Sequence, residues 1–166
     1  MVAGYQLAQL NIARMKESLE SPSMADFVGN LDRINALAER SAGFVWRLKD
    51  ESGSAVAIRG FGEEFVVNMS VWEDVASLSS YAFRSDHVEI MRRRREWFHP
   101  MADIYAVLWW IPIGHRPTVV EAKERLDYLR EHGATEYAFT FKQPYQAPGG
   151  QLEPQPNLAD SACPAT

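Results

Sequence analysis

The chain reads as an α+β protein, and three observations predict it. Segments of strand character recur at 5–12, 44–48, 65–72 and 105–111. Helical spacing fills the stretches after the first and the third of them. The resulting order, strand, helix, strand, strand, helix, strand, is the βαββαβ pattern of a ferredoxin-like unit, and a further helix and strand follow it.

Tyr5 to Ile12 alternates: Ala8, Leu10 and Ile12 share one face, and Leu7, Gln9 and Asn11 the other. Ser21-Pro22-Ser23 opens a helix on which Met24, Phe27, Val28, Leu31, Ile34 and Ala38 recur at helical spacing, with Gly43 placed to end it. Phe44 to Leu48 is the second strand, and Asp50 to Ser54 a turn. Phe65 to Trp72 is the third strand, with Phe65, Val67, Met69 and Val71 on one face. Val75 to about Phe98 is helical, with a break near Arg84-Ser85. Tyr105 to Ile111 is an apolar strand closed by Pro112. Thr118-Val119-Val120-Glu121 is a capping box that opens a helix running to Gly133, and Tyr137 to Phe141 forms a last strand.

The run Ala106 to Ile111 has no polar member, so both of its faces need cover. Helices of the βαββαβ unit lie on one side only. A second copy placed face to face, giving a C2 homodimer, is the simplest remedy; the added helix or the tail folding over the sheet is the other. Residues 142–166 hold five of the nine prolines and the pair Gly149-Gly150, so they read as a tail on a folded unit of 1–141.

Composition narrows the function classes. The net charge is −5, which argues against general binding to nucleic acid or anionic membrane. No stretch approaches a transmembrane length, and the N-terminus carries no signal-peptide pattern. Cys163 is the single cysteine and sits in the tail. These features fit a cytoplasmic protein. No histidine or carboxylate spacing marks a metal site, and there is no phosphate loop or nucleophile elbow.

The second long helix carries the candidate site. Phe83, His87, Ile90, Met91, Arg94, Trp97, Phe98 and Met101 fall on one stripe, and six of these eight are apolar. His87 and Arg94 are therefore polar groups on an inward face, two turns apart. Burying either unpaired costs on the order of 1–3 kcal/mol, and more for a charge, so an internal partner, water or a ligand must satisfy them. Asn11 and Asn68 are likewise polar residues among apolar neighbours on strands. The run Arg92 to Arg95 encircles the helix axis, so it is no basic patch: Arg92 and Arg93 belong to a solvated face, while Arg94 points to a pocket or an anionic group.

The stretch from Ser70-Val71-Trp72-Glu73 to Ser85-Asp86-His87 is similar to the dimeric α+β barrel superfamily, which includes antibiotic-biosynthesis and heme-degrading monooxygenases. Tyr81 to His87, Met91 to Phe98, Leu108 to Pro112 and Gly114 to Thr118 more closely resemble a bacterial family of unknown function within it, over about residues 5–141. The resemblance implies a pocket between sheet and helices and a small-molecule substrate. In a monooxygenase without a bound cofactor, acting on an aromatic or polyketide-like compound, His87 would be base or anchor. Arg94 would stabilise an enolate or phenolate, and Trp72, Trp97 and Trp109 would wall the site. The heme-degrading relatives imply an alternative in which Asn11, Trp72 and His87 match their site and His87 is an axial heme ligand. A non-redox cyclase or isomerase would use the same pocket, and a non-catalytic binding module would leave it closed.

Overall fold

Four strands pair throughout in antiparallel fashion: β1 (Tyr5–Arg14), β2 (Phe44–Arg47), β3 (Phe65–Trp72) and β4 (Ala106–Pro112). Their order across the sheet is β2-β3-β1-β4, the ferredoxin-like arrangement with β1 and β3 at the centre. The structure is a computed structural model and describes residues 4–49 and 61–150. The turn expected at Asp50 to Ser54, Cys163 and residues 151–166 of the tail lie outside the described residues.

Alternation in β1 decides what each face becomes. Ala8, Leu10 and Ile12 join Val67, Met69 and Val71 of β3 and Val107, Trp109 and Ile111 of β4 in one core. On the opposite face Leu7 lies between Trp72 and Trp110, Gln9 beside Ser70, and Asn11 beside Asn68 and Ala106. Helices α1 (Ala25–Arg40) and α2 (Val75–Arg84) pack on this second face, where Ala38, Val75 and Leu78 bury Leu7, Trp72 and Leu108. A short 3-10 turn at Pro22–Met24 precedes α1.

The first face is covered from within the chain. Helix α5 (Val119–His132) sets Ala122, Leu126 and Leu129 against it, all 0–1% exposed. Of the two remedies open in the sequence, the structure adopts the added helix, so the apolar strand β4 needs no second copy for its burial. Half of the expected capping box forms: the Thr118 hydroxyl accepts from the Glu121 amide at 3.1 Å, while the Glu121 carboxylate turns to Trp109 and His115 instead of the Thr118 amide. The last strand does not. Phe139 exchanges backbone hydrogen bonds with Leu108, and a turn at Thr140–Gln143 ends the pairing after that single bridge. Residues 142–150 continue along β4: the Trp110 indole donates to the Tyr145 carbonyl at 2.8 Å, and Ala147 is buried.

The long second helix is cut twice. α2 stops at Ser85, whose extended backbone breaks the ladder while its hydroxyl donates back to the Tyr81 carbonyl. α3 (His87–Arg92) follows, and α4 (Arg94–Trp97) is offset from it at Arg93. The expected break near Arg84-Ser85 is present; the second, at Arg93, has no Gly or Pro to announce it. Among the described residues no helix is long and apolar enough to cross a membrane.

Candidate functional site

A cavity opens between the sheet and the helices, where Asn11 and Asn68 of the central strands face α1, α3 and α4. Its apolar wall comes from Phe27, Leu31 and Ile34 of α1, Ile90 and Met91 of α3, Val66 of β3, and Ala13 and Phe98. His87, Arg94, Asn30 and Asn35 complete the lining, and it contains no carboxylate. The cavity holds about 120 Å³. A ~150 Å³ void is enough for one benzene ring, so there is room for about one ring. The lining gives the heme alternative no support.

His87 enters as the first residue of α3. The Ser85 hydroxyl accepts from its backbone amide at 3.2 Å, which fixes the start of that helix. Its Nδ1 lies 3.3 Å from the Ala82 carbonyl. A carbonyl only accepts, so Nδ1 carries the proton and Nε2 keeps a lone pair. Burial pushes the imidazole pKa below its ordinary value, and the Ala82 bond only partly opposes this. The group is therefore a neutral base at pH 7. Behind it stands a file of rings: His87 to Tyr81 at 5.0 Å, Tyr81 stacked on Trp72 at 5.1 Å, and Phe44 edge-on to Trp72. Burial pushes the Tyr81 phenol up to about 12, against the pull of Arg47, so it stays neutral.

Arg94 donates through Nη1 to the Tyr105 hydroxyl at 3.1 Å, with its guanidinium 4.7 Å from that ring. One of its five N–H groups is thus used, and the charge stays available to the cavity. Arg93, its neighbour, faces away: it pairs with Asp26 and Glu96, both at 2.9 Å, and tethers α4 to the start of α1. The solvated-face reading holds for Arg93.

Of the sequence-predicted residues, the structure brings His87, Arg94, Asn11 and Asn68 to one cavity. Trp72, Trp97 and Trp109 do not line it. Trp72 is fully buried behind Tyr81. Trp97 packs with Phe27 in a separate small core. Trp109 lies on the opposite face, where its indole donates to Glu121 at 3.0 Å and His115 meets the same carboxylate at 2.7 Å. Sequence reasoning missed Asn30 and Asn35. Their spacing with Phe27, Leu31 and Ile34 (i, i+3, i+4, i+7, i+8) was the available signal. Among the described residues no cluster of three metal-ligating side chains occurs.

Residues 6–155 match the family described as Domain of unknown function (DUF3291). No curated protein matches the chain. Among solved structures it is similar to NE2512, a protein of unknown function from Nitrosomonas europaea, at 13% identity over 70% of this chain and 97% of that one, TM-score 0.44. It is similar to PA3566 from Pseudomonas aeruginosa at 12% identity over 71% and 100%, TM-score 0.43. A third is SnoaB, a cofactor-independent oxygenase from Streptomyces nogalater, at 16% identity over 70% and 97%, TM-score 0.40.

Proposed function

The chain belongs to the DUF3291 family, and we propose for it a monooxygenase-like activity, without a bound cofactor, on a phenol or enol whose reacting ring fills the cavity. One observation carries the reading: an unprotonated imidazole nitrogen, a guanidinium and asparagine amides converge on an otherwise apolar cavity free of carboxylates. Such a site favours loss of a proton from an acidic hydroxyl and stabilises the oxyanion that remains.

His87 Nε2 takes the hydroxyl proton. Arg94 and Asn68 hold the resulting oxygen anion, and Asn11 faces the same space. The apolar wall keeps the electron-rich ring dry and pressed between Phe27, Ile34 and Ile90. Dioxygen is then the only other reactant needed. A phenol and O2 give a quinone and water; the ring supplies all four electrons, one oxygen atom enters the ring and the other leaves as water. A polyketide-like substrate would place only its reacting ring inside, the rest standing at the mouth.

Oxygen uptake with a panel of single-ring phenols tests this. The wild type is expected to consume O2 with at least one of them, and His87→Ala to slow it by about 10²–10⁴-fold, the usual worth of a positioned base. Conversion of an enol without oxygen consumption would move the assignment to a non-redox isomerase. Equal uptake in wild type and variant would remove the role given to His87.

A further inference from the structure

Gln9 is not among the cavity's lining residues, but it bonds to one that is. It sits on β1 beside Ser70 and one step from Asn68 on β3. Its Nε2 donates to Asn68 Oδ1 at 2.8 Å and to Ser70 Oγ at 2.9 Å. Ser70 also accepts from the Trp72 indole Nε1 at 2.8 Å. Trp72 is fully buried between Phe44 and Tyr81, and its N–H can only donate, so Ser70 Oγ accepts from Trp72 and from Gln9 together. Ser70 is itself only 6% exposed.

Both hydrogens of the Gln9 amide are thus spent, one on Ser70 and one on the Asn68 carbonyl. The Asn68 carbonyl is turned toward Gln9, which leaves its NH2 group free; Asn68 is exposed and lines the cavity. We propose that Gln9 is a positioning residue which sets Asn68 to recognise a hydrogen-bond acceptor, the oxyanion end of a ligand, and to reject a donor there. A donor at that point would set N–H against N–H. The inference rests on the reading of the cavity as a ligand site.

Two neutral, single-ring probes separate the cases: pyridine N-oxide, which only accepts, and aniline, which presents N–H donors. Their dissociation constants are read from shifts of the His87 ring and the Asn68 side-chain amide in NMR titrations. The wild type is expected to favour pyridine N-oxide by about fivefold to tenfold, the scale of one hydrogen bond gained against one left unmade. Gln9→Leu should bring that ratio to near one. Gln9→Glu keeps the shape but can only accept; it should turn Asn68 around and favour aniline. In an Asn68→Ala background Gln9→Leu should change nothing, which a merely structural role would not produce. A wild-type ratio retained in both Gln9 variants, or an equal effect of Gln9→Leu with and without Asn68, overturns the assignment alone. Failure of either probe to move the His87 signals in the wild type overturns the ligand site and this inference together.

Discussion

At the scale of single residues, His87 links folding to chemistry through its protonation. Its pKa falls below the ordinary value on folding because burial disfavours the charged ring. The unfolded chain therefore binds more protons than the native one as pH drops below about 6.5, the reference value for histidine. Stability from the neutral ring is complete above that pH and is lost as the solution is acidified. The difference in urea midpoint between the wild type and His87→Asn should accordingly turn against the wild type on going from about pH 7.5 to about pH 5. A difference that stays constant would mean the ring is not desolvated. Residues of this kind were legible in the sequence, since a lone polar group on an apolar stripe, such as His87, Arg94, Asn11 or Asn68, must find a partner or a ligand. The tryptophans were not. Size and apolarity place Trp72, Trp97 and Trp109 in the interior but do not say which of three cores receives them. Gln9 escaped notice because its role depends on a cross-strand neighbour, and register is invisible along one strand.

At the scale of elements, the breaks in the second helix place the site. An unbroken helix from Val75 would carry His87 onward as a mid-helix residue; the stop at Ser85 restarts the chain so that His87 opens α3. Asp74 fixes the other end of α2, its carboxylate accepting from the Ser77 amide at 2.8 Å. Gly43 approaches the same turn with φ +80, and a Cβ there would collide with the Ser77 side chain. Removing the cap with Asp74→Ala should cost about 1 kcal/mol in chemical denaturation, with the cavity residues unmoved in NMR spectra. A loss near zero would show that Ser77 does not depend on that carboxylate. The strands and the N-cap at Thr118 followed from alternation and from residue type. The second break at Arg93 did not: no Gly or Pro marks it, and the Asp26 that Arg93 pairs with lies 67 residues away. The final strand was over-read for a similar reason: Tyr137 to Phe141 has strand composition, yet the chain turns back after one bridge.

At the scale of the whole molecule, one sheet separates two kinds of interior. The α5 side buries aliphatic groups and Trp109, whereas the α1–α3 side keeps a hollow beside its polar strand residues. Leu126 is central to the α5 side and fully buried. Leu126→Ala should destabilise the fold by about 2–5 kcal/mol while leaving ligand affinity in the cavity within twofold, since the sheet stands between them. Linked losses of both would show that the two sides are not independent. The account as a whole depends on the state of one ring in the hollow side. Long-range ¹H–¹⁵N NMR of the His87 imidazole, followed through a pH titration, measures it directly. The account predicts a proton on Nδ1, a bare Nε2 and a midpoint below the ordinary histidine value, with the Nε2 signal shifting when a phenol is added. A proton on Nε2, or a midpoint at or above that value with no response to the phenol, would contradict it.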